Sequence, residues 1–273
     1  MRGRARAAAL VAGIGALLLP AAPADAYPTS LIFAPTGDVA AAGASCLSFY
    51  NAFYGTAVDC WTGYNVGILP GFPYGDSGLV FPGLEVGIDV LASPGRLPAI
   101  KPVGNLKLGL LAEADVLPSL ALGYMSVAVL HPASSLNLAY LSATKTVEVG
   151  GRRLGRLTLG SAYAMPRDPD EFTPTWPAPN SNATYLAGWE FPAVGPFSFA
   201  IDSIGGVSEI SGTCLVMNLE IVPGTFASVG YAISHDRDAA YPDGYFFQTY
   251  TNFDVITAIS PPADGPAAPS GQP

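Results

Sequence analysis

Leu84-Glu85-Val86-Gly87-Ile88-Asp89-Val90-Leu91 alternates without a break. Successive side chains of an extended strand point to opposite sides, so Leu84, Val86, Ile88 and Val90 share one face while Glu85, Gly87 and Asp89 share the other. A soluble sheet protein would turn the apolar face inward. A barrel in lipid turns it outward and keeps the small, polar face for its lumen. How often the pattern recurs, and how its copies are joined, decides between the two.

The pattern recurs along most of the chain. Period-2 alternation bounded by Gly, Pro and Asn predicts twelve strands. They run from about Ala42 to Tyr54, Val58 to Ile68, Gly78 to Leu91, around Asn105 to Leu110, Leu120 to Val129 and Leu136 to Val147. The other six are Arg152 to Ala164, Ala183 to Phe191, Pro196 to Ile204, Ser208 to Val222, Thr225 to Ser234 and Tyr245 to Phe253. Their connections alternate in length. Gly150-Gly151, Pro192 to Gly195 and Pro223-Gly224 are short turns, and Leu69 to Ser77 joins the second strand to the third. The long links, Ala92 to Lys101, Met165 to Asn182 and His235 to Gly244, all fall at the opposite end. Short turns on one side, longer loops on the other, an even strand count and both termini on the short-turn side describe an outer-membrane barrel. The expectation is an all-β fold, a closed antiparallel up-and-down transmembrane β-barrel of about 12 strands over residues 27–258. Leu84, Val86, Ile88 and Val90 then face lipid. The competing expectation is a soluble secreted β protein that binds an apolar ligand inside.

Composition favours the barrel. Half the residues are hydrophobic, only 12% are charged, and the mean hydropathy is +0.36. Beyond the N-terminal segment, however, no apolar run reaches the ~18 residues of a helical span. A closed barrel is the other way for such a chain to satisfy its backbone in lipid. The net charge of −9 excludes nucleic acid and an anionic surface as electrostatic partners. Arg2, Arg4 and Arg6, the apolar run from Ala7 to Leu19, and Ala24-Asp25-Ala26 have the order of a cleaved signal peptide over 1–26. The Pro/Ala/Gly-rich stretch 259–273 reads as a disordered tail. Tyr54, Trp61, Tyr163, Trp189 and Phe191, near strand ends, read as interfacial girdles.

Several short motifs follow the order of one group of bacterial outer-membrane proteins. Ala34-Pro-Thr-Gly-Asp-Val39 with Ala42-Gly43 resembles that group's N-terminal opening. Leu84 to Asp89, Asn105-Leu-Lys107, Leu120-Ala-Leu-Gly123, Leu138-Ala-Tyr140 with Thr144-Lys145, and Arg156 to Gly160 come next. Val229-Gly-Tyr231 and Phe247-Gln248 to Asn252-Phe253 close the series. The group is similar to the barrel portion of YjbH-type proteins. The resemblance implies an outer-membrane location and a small barrel, and it implies no activity. Members of the group end on an aromatic residue of the final strand, whereas Phe253 is followed here by further residues.

Candidate site residues come from the polar face. By alternation Glu85, Asp89, Lys107, Arg156, Asp202 and Glu220 are lumen-lining, with Lys145 and Glu190 added as candidates. Such charges either line a solute path or neutralise one another inside a narrow barrel. Cys46 and Cys60 flank a hairpin tip and are disulfide candidates in an oxidising compartment. Gly75-Asp76-Ser77-Gly78 matches the nucleophile tetrapeptide of chymotrypsin-like proteases, but both histidines, His131 and His235, follow it rather than precede it. It reads as turn sequence. The two histidines fall on expected outer loops, where a lipid-modifying barrel enzyme would need one. No catalytic residue, metal site or cofactor is assigned. The expected protein is a monomeric or weakly oligomeric outer-membrane barrel, structural or a narrow passive channel. Its partners are membrane lipid and the outer-membrane assembly machinery, with small solutes as candidate cargo.

Overall fold

Alternation and glycine-rich turns give this chain long antiparallel ribbons, and the ribbons join into one ring. The computed structural model describes residues 30–54, 57–75, 77–92, 100–128, 137–165, 182–206, 211–235 and 243–254. The signal peptide expected at 1–26, the tail at 259–273, His131 and Asp76 lie outside these residues. In chain order the strands are β1 (Ala44–Tyr54), β2 (Ala57–Leu69), β3 (Phe72–Pro73), β4 (Val80–Phe81), β5 (Gly83–Ala92), β6 (Ile100–Leu111) and β7 (Ser119–Ala128). They continue as β8 (Asn137–Val149), β9 (Arg152–Met165), β10 (Ala183–Glu190), β11 (Phe197–Ile204), β12 (Gly212–Val222), β13 (Thr225–Ser234) and β14 (Gly244–Asp254).

All but β3 and β4 form a closed barrel of twelve antiparallel strands in up-and-down order. Closure comes from β1 against β14, in register from Ala44 opposite Asp254 to Phe53 opposite Tyr245. Ring closure leaves no edge strand among the twelve, so the ladder amides are paired around the circumference. The end at which β1 starts and β14 finishes, called here the terminal end, also carries the turns β8–β9, β10–β11 and β12–β13. At the first of these, Gly150 (φ 60°) and Gly151 (φ 74°) supply the two positive-φ residues that a type I′ hairpin needs.

The two faces of the sheet differ sharply. On β8, Leu138, Tyr140, Ser142 and Thr144 are buried while Leu141 is exposed. On β9, Thr158, Ala162 and Ala164 are buried while Leu159 and Tyr163 are exposed. Phe49, Phe53, Ile88, Leu106, Leu122, Phe199, Leu215, Met217, Val229 and Phe247 extend that exposed apolar surface around the ring. The sense of the alternation is therefore the reverse of a soluble barrel. The exposed large apolar side chains point out, while the inner face carries small and polar residues together with buried Tyr50, Leu138, Tyr140, Leu186, Ile204 and Phe246.

Three expectations need correction. The stretch Gly78 to Leu91 is not one strand. Val80–Phe81 pairs with Phe72–Pro73 in a separate two-stranded ribbon, and β5 starts only at Gly83. Pro82 lies at the break, and without an N–H it cannot carry a ladder across. Cys46 and Cys60 are both free. Cys46 is opposite Asn65, while Cys60 is opposite Asn51. That places the two about five residues, or ~17 Å, apart along the ribbon at ~3.4 Å per residue. They also face opposite ways, since Cys46 shares the inner face with buried Tyr50 and Ala52, and Cys60 is adjacent to inward Trp61. No disulfide can span that separation. Trp61 itself packs against the interior cluster around Tyr50 and so is not a girdle residue.

Candidate functional site in the lumen

The lumen is filled by the chain's own segment 30–43. Its sequence runs Leu31-Ile-Phe-Ala34 and then Pro35-Thr-Gly-Asp38, an apolar half followed by a polar half. The barrel wall is divided in the same way. Leu31, Ile32 and Phe33 pack among Tyr50, Ala52, Ala200, Cys214, Val216 and Phe246, contributed by β1, β11, β12 and β14. Phe33 meets the rings of Tyr50 (5.6 Å), Trp61 (6.1 Å) and Phe246 (6.4 Å). Ala34 is fully buried against Leu138, Tyr140, Ala162, Ala164, Leu186 and Ile204. These contacts run around the ring from β1 and β14 through β12 and β11 to β10, β9 and β8, so this part of the segment lies inside the barrel.

Its backbone is held by wall side chains. The segment turns sharply at 31–34, where the Leu31 amide donates to the Ala34 carbonyl and Ser30 bridges Pro35. The turn aims three successive amides, those of Ile32, Phe33 and Ala34, at Asp202 Oδ2, at 2.9, 2.7 and 2.7 Å. Consecutive N–H groups converging on one carboxylate form an anion nest, and Asp202 on β11 is the anion. Lower down, Ser142 Oγ donates to the Thr36 carbonyl (2.7 Å) and the Gly37 amide donates to Thr144 Oγ1 (2.8 Å). The Ala40 amide donates to Glu85 Oε2 (3.0 Å). At the terminal end the segment runs beside β2, with Gly43 N–H to the Gly67 carbonyl at 2.9 Å. A Cβ on Gly67 would collide with the carbonyls of Ala40 and Ala41, so only glycine allows the backbones this close.

Asp38 is the charged centre of the segment. Its Oδ2 accepts from Arg156 Nη2 at 2.7 Å, its Oδ1 from Ser119 Oγ at 3.0 Å, and its carbonyl from Lys107 Nζ at 2.9 Å. Arg156 also lies 3.7 Å from both Glu113 and Glu190. A buried charge is tolerated where partners surround it, and here those partners come from β6, β7, β9, β10 and the segment.

The eight candidate charges have distinct environments. Glu85 and Lys107 are opposite one another in the β5–β6 register, each about 5% exposed or less, and both bond the segment. Asp89 accepts from Asn105 Nδ2 on the same inner wall. Arg156, Glu190 and Asp202 join the arrangement already described. Glu220 accepts the Gly224 amide (3.1 Å) beside the β12–β13 turn. Lys145 must be corrected. It alternates with inward Thr144 on β8 and shares the register of exposed Leu141, so it belongs to the outer face. From there it curls around the rim to Glu113 (3.1 Å) and the Ala114 carbonyl. Glu113 sits in the 112–118 connection. Burial pushes its carboxyl up, but the Thr146 amide, the Lys145 ammonium and the Thr146 hydroxyl outweigh that and hold it below the ordinary value.

His235, at the opposite end, heads a different chain of hydrogen bonds. Its Nε2 contacts Thr213 Oγ1 (3.0 Å), Thr213 contacts Ser203 Oγ (3.1 Å), and Ser203 contacts Tyr185 OH (3.2 Å). Among the described residues no carboxylate joins this row, and Asp236, next to His235 in the chain, lies outside them.

Sequence reasoning missed the lumen segment. Its signal was present: Leu31-Ile-Phe-Ala34 is too apolar for a solvated leader and too short for a strand of its own. It needed somewhere dry to go.

No family model matches the chain, and no curated protein matches it. Among solved structures it is similar to one titled "NanC porin structure in rhombohedral crystal form", at 7% identity and a TM-score of 0.43, over 76% of this chain and 98% of that one.

Proposed function

We propose that this chain is a bacterial outer-membrane β-barrel that is shut at rest by its own N-terminal segment. It serves as a structural barrel or a narrow, tightly held passive channel rather than an open porin. The observation that carries this reading is the pairing of an apolar exterior with an occupied interior. A closed ring whose outer face is Leu, Phe, Ile and Val needs hydrocarbon around it. The packed Phe33 cluster and the backbone of 34–43, bonded to the wall, occupy the lumen and support a shut state. Of the inner-wall charges among the residues whose side chains are described, five carboxylates (Glu85, Asp89, Glu190, Asp202, Glu220) stand against Lys107 and Arg156, and Glu85, Asp202, Lys107 and Arg156 bond the segment. The soluble alternative, an interior that binds an apolar ligand, is disfavoured because residues 31–34 already fill that interior.

Planar-bilayer recording of the refolded protein tests the shut state. The intact chain is expected to give no sustained conductance, and stable unitary steps at modest voltage would overturn that part of the reading. Cell fractionation tests the location. Recovery in detergent-extracted outer membrane with heat-modifiable gel mobility is expected, and recovery in the soluble periplasmic fraction would sink it.

A further inference from the structure

Residues 36–43 use one side of the lumen: the bonds described above all go to β2 and β5–β9. The facing wall is polar in its terminal half. Ser198, Asn218, Ser228 and Gln248 form one register row across β11–β14, and Glu190, opposite Ala200, adjoins it at the end of β10. Ser228 is 1% exposed, and its Oγ has no hydrogen-bond partner among the described residues. Neither amide atom of Asn252, nearer the terminal end on β14, has one. Glu190 lies 3.7 Å from Arg156, whose closer bond, 2.7 Å, goes to Asp38. Buried polar groups are costly without partners, so this wall suits an occupant that donates hydrogen bonds and carries positive charge.

The chain itself leads to one. Ser30 and Pro35 form an antiparallel bridge across the 31–34 turn. Since 35–43 descends to the terminal end, the chain also enters Ser30 from that end. Leu31 lies over Gly188 of β10, where a Cβ would collide with its Cδ1. Glu190 is two residues further toward the terminal end, ~7 Å along the strand. Tyr27 is four residues from Leu31 in the sequence, a reach of up to ~14 Å.

We propose that Glu190 receives the α-ammonium of Tyr27, created when the chain is cut after Ala26, so that removal of the leader completes the plug. In that hydrolysis water adds across the Ala26–Tyr27 peptide bond. Ala26 leaves as a carboxylate, and Tyr27 keeps the nitrogen, which is mostly protonated at neutral pH because an α-amine titrates at ~7.7–8.0. The uncut chain has a neutral peptide N–H at that position and cannot make the ion pair. The new charge enters a lumen where carboxylates outnumber cations among the described inner-wall side chains. The proposal rests on the plugged reading above, and its test keeps the two apart.

The processed protein is purified in detergent from membranes of a bacterial host. Its first peptide is expected to begin at Tyr27 by mass, and any other start overturns the proposal. Its amines are then reductively methylated with formaldehyde and cyanoborohydride, both folded and in urea, with Tyr27 followed by mass spectrometry. The folded amine is expected to react about tenfold more slowly, because pairing with a carboxylate lowers the fraction present as reactive neutral amine. Glu190→Gln is expected to restore most of that rate while hydrogen exchange of 30–43 stays slow. If 30–43 is protected but the Tyr27 amine reacts as fast as in urea, the docked terminus is wrong and the plug stands. Slow reaction that Glu190→Gln leaves unchanged overturns the pairing. Fast exchange of 30–43 in the parent chain sinks the plug and this proposal together.

Discussion

Asp202 is the residue whose removal should loosen the lumen segment most selectively. In Asp202→Ala the amides of Ile32, Phe33 and Ala34 lose their common acceptor. An unsatisfied buried donor costs about 1–3 kcal/mol. Relief from burying a carboxylate offsets part of that, so the lower bound of about 1 kcal/mol per amide is the sensible figure, or about 3 kcal/mol for the three. At ~1.4 kcal/mol per decade this raises the population with a released segment roughly a hundredfold. Hydrogen exchange in bilayer nanodiscs reads that population directly, because local opening sets the exchange rate of protected amides. Peptides covering 30–43 should exchange about two decades faster in the variant, while those from β8 and β9 stay unchanged. Asp202→Asn, which keeps an acceptor oxygen but not the charge, should fall between. Unchanged exchange in 30–43 would refute the nest as the latch. Equal acceleration throughout the barrel would refute the claim that Asp202 acts on the segment rather than on the wall.

Other outcomes follow from the same geometry. Phe33→Ala opens a cavity among Tyr50, Trp61 and Phe246. It is expected to cost about 3–5 kcal/mol, as large aromatic truncations do, seen as a lower temperature for the heat-modifiable gel shift. Reducing agent is expected to leave gel mobility and that temperature unchanged, since Cys46 and Cys60 are too far apart to pair. A reduction-sensitive shift would contradict the β1–β2 register. Glu113 is held below its ordinary value of 4.5, so the folded state binds that proton less readily than the unfolded chain. Its stabilisation is complete above the ordinary carboxylate range and is lost as pH falls through the folded value. Exchange protection of 112–118 should fall accordingly on acidification, and Glu113→Gln should remove the dependence.

The strands were legible because a strand advertises itself locally. Alternation such as Leu138 to Thr144 or Leu157 to Ala164 needs no knowledge of the partner strand, and the Gly-Gly and Pro-Gly turns mark its ends. The twelve barrel strands were found this way, and the count together with the loop asymmetry gave closure. The break at Pro82 was visible too, but alternation on both sides of it concealed that the ribbon of Phe72 and Phe81 leaves the barrel.

What the local pattern could not supply was anything set by distance across the ring. Lys145 was misplaced because one step of register flips a side chain to the other face, and only the buried partners of Thr144 fix that step. Cys46 and Cys60 seemed pairable until the register placed them on opposite faces. Above all, the use of the inner charges depends on a segment more than forty residues from Glu85 and some 170 from Asp202. Sequence alone determined a closed barrel with an apolar outside, because strand periodicity and turn chemistry are short-range. The tertiary structure alone decided that the lumen is occupied. Asp38 meets Arg156, and Asp202 meets three amides, only once twelve strands have closed around residues 30–43.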